Sequence, residues 1–280
     1  MVRSPEWEMY IVWYFFLGGI AGGSYFTAAI ADNFGGRRDR EIAKIGYLIA
    51  LPLTLACGVL LILDLGTPSR FLNMMKLFKF WNPMSIGAWA VGAFGAFSFI
   101  CAFLSFSDSE GLLMLRRNVA KVGSWFGFFL AAYTGVLLSN TAQPIWGDAR
   151  LMGALFLASG ASTGLASIAV ISYFKGANLG GSWSKLKRAD SFAIVVELVL
   201  LLALILMLGP AADPLTKGRF ALPFWGGLVA LGLVVPLGLS FIKPGDGKER
   251  TAGGTLAIAS VLVLIGGFLL RYVVLMAGQL

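Results

Sequence analysis

The chain has 280 residues, 58% of them hydrophobic and only 13% charged, with a formal net charge of +8. A soluble domain carries about twice that share of charge, so the mean hydropathy of +0.82 excludes a soluble globular enzyme. It also excludes a disordered chain, which needs low hydrophobicity and high charge.

In chain order, Glu6 and Glu8 stand where a signal peptide would carry basic residues. No small-residue cleavage site follows a short apolar core, so the first apolar run reads as a permanent span. A span needs about 20 apolar residues to cross about 30 Å of hydrocarbon. Eight runs qualify, near 10–31, 42–64, 84–106, 119–141, 150–174, 191–211, 221–242 and 254–277. Backbone groups in lipid must be paired internally, so the runs are helices, and the lack of period-2 alternation argues against a β-barrel. The expected fold is an all-α polytopic membrane protein. Its single membrane domain, 1–280, comprises two four-helix halves, about 10–141 and 150–277, with no sequence repeat relating them. Pro52 and Pro236 fall inside spans and predict kinks.

In the first run, GGIAGG (18–23) sets Gly18 four residues from Gly22 and Gly19 four from Gly23. These are small-xxx-small pairs, which predict close helix packing. A bare glycine face also leaves room for a flat ring. The run lacks the strand–turn–helix setting of a nucleotide loop, which excludes that function. Between the second and third runs, RFLNMMKLFKFW (70–81) spaces apolar residues helically around Lys76 and Lys79. It reads either as a short interfacial helix or as an ordinary connection with aromatic anchors.

Lys and Arg number 22, and 14 of them lie in or beside the odd loops against eight on the other side. That bias places the odd loops in the cytoplasm and both termini outside. It also accounts for the basic pI of about 9.7 without nucleic-acid binding.

Ionisable residues at membrane depth are costly and mark candidate function. Asp64 opens DLGTPSRF (64–71), which also holds Arg70, and Asp148 and Arg150 lie within NTAQPIWGDARLMGALF (140–156). Both loops fall on the extracytoplasmic side. Their acids and arginines form either a network joining the loops or the border of a polar pocket open to the bilayer. Near them the fourth run supplies Tyr133, Ser139, Asn140 and Thr141, with Tyr133 about 10 Å below the helix end. A phenol there can donate to a carbonyl ligand. Tyr10 and Tyr14, four apart, share a face of the first helix. Glu197, about two turns into the sixth run, either joins a proton path or bonds a neighbouring helix. Arg271 either snorkels outward or pairs with an acid.

Histidine is absent, which removes the usual ligands of a membrane cytochrome b. Cys57 and Cys101 lie in separate runs with no metal-ligand spacing. They read as small buried hydrophobes, so neither haem nor an iron–sulfur cluster is expected in this chain.

FLGGIAGGSYF (16–26), DLGTPSRF (64–71), PIWGDARLMGALFLASGASTG (144–164) and GGFLLRYVVLMAGQ (266–279) together resemble the NrfD/polysulfide-reductase membrane-subunit family. The resemblance runs through nearly the whole chain. It implies a membrane subunit that exchanges electrons with menaquinone or ubiquinone. It further implies a docked ferredoxin-like iron–sulfur partner, and beyond that a molybdopterin enzyme or a multihaem cytochrome c. The quinone pocket of such proteins lies near the extracytoplasmic surface.

By resemblance, Tyr133 matches the tyrosine that contacts the quinone. Where some relatives use Asn and His in the first span, this chain offers Tyr10 and Tyr14. Gly18, Gly22, Asn140, Thr141, Arg70, Arg150 and Trp146 complete the expected pocket or its rim. Asp64, Asp148 and Glu197 are the expected proton-transfer groups. The cytoplasmic membrane is the implied location. Rival readings are a transporter, for which paired broken helices in inverted repeats are not found, and a passive anchor for an extracytoplasmic redox enzyme.

Overall fold

A computed structural model describes residues 8–65, 67, 76, 81–107, 109–139, 144–147, 149–177, 179–241 and 249–279, the side chains of 144, 145 and 249–252 excepted. The described residues form helices α1 (Met9–Phe34), α2 (Asp39–Leu63), α3 (Pro83–Leu104), α4 (Glu110–Ser139), α5 (Pro144–Gly147), α6 (Met152–Phe174) and α7 (Ser182–Leu208). Short α8 (Asp213–Thr216), α9 (Val235–Phe241) and α10 (Glu249–Ala277) complete the set. Eight helical segments among the described residues are long and apolar enough to cross a membrane, as expected. The fold is all-α among the described residues. Residues 70–75 and 77–80, most of the expected interfacial helix, lie outside them.

Two helices begin well before their apolar runs, α4 at Glu110 and α7 at Ser182. Their first turns carry charged residues that sequence reading assigns to loops. The seventh span is a π-helix over Leu222–Val234 that becomes α9 just before Pro236. The change of helix type comes one residue before Pro236, which cannot donate an amide hydrogen bond.

α1 stands at the centre of the bundle, against α2 and α4 on one side and α6 and α10 on the other. Its glycines make this possible. Gly22 lies against the Gly127 carbonyl of α4, and Gly23 against the backbone of Gly160 and Gly164 on α6, where any Cβ would collide with main chain. Close packing is therefore the observed role of GGIAGG, because the helices approach only where both lack side chains.

At the odd-loop end, ion pairs fasten the helices together. Arg116 of α4 meets Asp32 of α1 through Nε and Nη2, each at 2.8 Å, with both side chains buried. Arg117 stands 3.6 Å from the same carboxylate. Asp39 at the start of α2 accepts from the Gly36 amide, from Ser182 Oγ at 2.5 Å and from Lys185 Nζ at 2.6 Å, tying α2 to α7.

Candidate functional site

The opposite end, on the side of both termini, holds the aromatic cluster. Tyr133 lies on α4, buried, and its hydroxyl donates to the carbonyl of Pro83 in the first turn of α3. Residue 87, one turn along α3, has no side chain to obstruct the ring: a Cβ there would lie 2.7 Å from the Tyr133 hydroxyl. Phe129, one turn before Tyr133, stacks on it with centroids 5.2 Å apart. Tyr14 of α1 is buried within electrostatic reach of Tyr133 and Cys57. The Cys57 thiol points to the Tyr14 carbonyl at 3.7 Å.

From this cluster an apolar groove of about 700 Å³ runs along α3 and α4 and reaches Leu157 of α6. Ile86, Trp89, Trp125, Phe128, Phe129 and Ala132 supply most of its wall. Trp125 is largely exposed at 78%, so the groove opens on the lipid-facing flank of the bundle. Phe129 and Ala132 belong to the groove, while Tyr133 stands at its end on the terminal side.

The other expected site residues distribute unevenly. Gly18 faces Cys57 and Leu130 below Tyr14. Tyr10 is 44% exposed at the start of α1, apart from its buried partner Tyr14. Trp146 on α5 is fully buried, and its indole donates to the Val274 carbonyl at 3.0 Å, binding the short helix to α10. Arg150 is exposed. Asp64 caps α2, and its carboxyl is raised above the ordinary carboxylate pKa by partial burial and then by nearby Glu8. Arg70, Asp148, Asn140 and Thr141 lie outside the described residues, and with them the expected Asp–Arg network.

A second polar cluster lies deeper, between α6, α7 and α10. Glu197 is 1% exposed and accepts from Ser162 Oγ at 2.7 Å. Arg271 is fully buried rather than snorkelled. Its Nη1 donates to Ser159 Oγ at 2.6 Å and to the Gly267 carbonyl at 2.8 Å, and the guanidinium lies 5.2 Å from the Phe156 ring. Ser159 also bonds Glu197, so it stands between acid and base. Of the two sequence alternatives for Glu197, the bond to a neighbouring helix is observed, and the residue also lies near a buried cation. Ser159 and Ser162 are missed by sequence reading. Their only signal is polar residues recurring in the apolar run LASGASTG (157–164).

A family model described as polysulphide reductase, NrfD, matches residues 1–280. The chain belongs to the NrfD family. As an NrfD protein with eight membrane-length apolar helices, it is an integral membrane protein. Similar proteins include the C chain of polysulfide reductase from Wolinella succinogenes, 29% identical over 99% of this chain and 95% of that one. Protein NrfD of Escherichia coli is 25% identical over 99% of this chain and 96% of that one. The Hdr-like menaquinol oxidoreductase integral membrane subunit of Archaeoglobus fulgidus is 23% identical over 56% of this chain and 39% of that one. The first two NrfD relatives therefore align over nearly their whole length, and the third over part of it.

Proposed function

We propose that this NrfD protein is the quinone-reactive subunit of a membrane oxidoreductase complex. It exchanges electrons between a membrane quinone and an iron–sulfur partner docked on the extracytoplasmic face. The observation that carries this reading is the buried Tyr133 at the head of an aromatic groove open to lipid. The names of the relatives, a polysulfide reductase and a menaquinol oxidoreductase subunit, point the same way.

The residues present fit a quinone. The groove walls are almost wholly apolar, which suits an isoprenoid tail, and the lack of a side chain at Gly87 lets the Tyr133 hydroxyl lie close against α3. A bound quinone supplies two-electron, two-proton redox chemistry. Tyr133 would donate a hydrogen bond at the ring oxygen, in place of the one it gives Pro83. Tyr14 closes the head site from α1, and Phe129 and Trp125 hold the tail and exclude water. Asp64, at the surface on the same side, exchanges protons with solvent. Glu197 transfers protons from the other side. Because electrons must come from outside, a ferredoxin-like partner and a molybdopterin or multihaem catalytic subunit complete the complex. The positive-inside bias supports a cytoplasmic-membrane location with both termini outside.

Replacing Tyr133 by Phe removes one hydrogen-bond donor and keeps the ring. Quinone turnover of the purified complex should fall, with assembly intact. Unchanged quinone kinetics would defeat the assignment and favour a passive anchor.

A further inference from the structure

α4 is 30 residues long, and its charged and apolar positions are segregated along it. Counted from its end at Ser139, Trp125 lies about 21 Å down the helix, Lys121 about 27 Å and Arg117 about 33 Å by helix rise. With Ser139 at one boundary of a hydrocarbon core about 30 Å thick, Lys121 and Arg117 stand at the level of the odd-loop headgroups. Arg117, Lys121, Trp125 and Phe129 follow one another at four-residue spacing, so they form one stripe along α4. Trp125 and Phe129 line the apolar groove. The groove therefore has the Tyr133 phenol beyond one end and two cations beyond the other.

These two cations lack a matching acid. Asp32 already takes two 2.8 Å bonds from Arg116. Arg117 Nε stands 3.6 Å from the same carboxylate and has no hydrogen-bond partner, and the side chain is 36% exposed. Two guanidiniums thus share one carboxylate and leave one positive charge over. Lys121 is exposed and, among the described residues, enters no ion pair. Glu110, the one acid within α4, lies seven residues before Arg117, about 10 Å further from the groove by helix rise. Asp108 lies outside the described residues. A buried guanidinium nitrogen without a partner calls for an acceptor, and the planar fork of arginine matches phosphate oxygens.

We propose that Arg117 and Lys121 bind the phosphate of an anionic phospholipid in the odd-loop leaflet, whose acyl chain lies along α4 against Trp125. Arg117, held beside Asp32, offers the N–H groups that the carboxylate does not take. Lys121 adds a point charge one turn nearer the groove. A zwitterionic headgroup carries its own cation next to the phosphate and leaves the surplus charge of the pair uncompensated, so the site selects lipids of net negative charge. Trp125 lines the groove yet stays 78% exposed, so its indole offers apolar surface to a chain from the bilayer. That this chain bounds the groove of a quinone tail rests on the reading above; the lipid site itself does not.

The test places the full-length protein in phosphatidylcholine nanodiscs with small fractions of phosphatidylglycerol brominated along its acyl chains. Bromine quenches indole emission at contact, and the difference between wild type and Trp125→Phe isolates the signal of Trp125 among eight tryptophans. Brominated phosphatidylglycerol should quench that signal at lower mole fraction than brominated phosphatidylcholine. Arg117→Gln and Lys121→Gln should each reduce this preference about fivefold, the contribution of one basic residue near a membrane surface. Arg117→Lys should keep most of it. Lys121 makes no ion pair, so its variant reads the site even where Arg117→Gln fails to fold. Equal quenching by the two lipids in wild type, or a preference unchanged in Lys121→Gln, would overturn the proposal. Release of brominated phosphatidylglycerol by equimolar inorganic phosphate would show a free-anion site and overturn it too. No quinone is present in the assay, so its failure is distinct from failure of the Tyr133 assignment.

Discussion

Arg116 and Asp32 lie 84 residues apart and meet through two parallel 2.8 Å hydrogen bonds inside the bundle, beside the Tyr47 ring. Buried charges of this kind are stable only as a pair. Asp32→Ala leaves Arg116 buried and uncompensated, with only more exposed Arg117 nearby. It should destabilise the protein by about 3–5 kcal/mol, whereas replacing both residues with apolar side chains of similar volume should recover most of that loss. Thermal unfolding in detergent of the single and double variants checks this.

The contact between α1 and α6 tolerates no side chain at Gly23, because the Gly160 carbonyl fills the space. Gly23→Ala forces the helices apart. An overpacked contact costs about 1–3 kcal/mol, so the variant should unfold at lower temperature and yield less assembled protein. At Gly58, where nothing lies within 4 Å of a built Cβ, the same change should be nearly neutral.

If the groove holds an isoprenoid tail, Trp125→Ala and Phe129→Ala should discriminate between quinones by tail length. Removing one aromatic ring that a bound tail would cover forfeits about 1.5–3 kcal/mol of burial, which is about tenfold or more in affinity. KM should rise by that factor for long-tailed quinones and stay nearly constant for a tail-less analogue. Gly87→Val should instead impair both, because its side chain meets Tyr133 at the head of the site. Steady-state kinetics with the two quinone types separates these outcomes.

Asp64 gives a pH dependence. Its folded-state pKa is raised, first by burial and then by Glu8, so the folded protein holds this proton more tightly than the unfolded chain. Its contribution to stability is full below the ordinary carboxylate range and is lost as pH rises through the raised value. Asp64→Asn should flatten that part of the profile. Glu8→Gln should move it to lower pH. Melting temperature measured against pH reads both.

The sequence by itself determined the eight spans and the asymmetry of charge between their ends. Both follow from the cost of placing polar groups in hydrocarbon, which acts on each segment separately. It also marked GGIAGG for close packing, because small residues four apart lie on one helix face whatever the partner. Which helices approach there, α4 at Gly22 and α6 at Gly23, was decided only in the tertiary structure. The same holds for charge. Arg116 reads in sequence as one more cytoplasmic-loop cation, yet it is buried against Asp32, and Arg271 is not snorkelled and, among the described residues, makes no direct contact with an acid. Asp190 carries no motif and is conspicuous only once its carboxyl is seen buried in line with Glu197. Burial cost is a local property legible along the chain. The choice of partner for a buried charge depends on which distant helices pack together, and only the folded bundle fixes that.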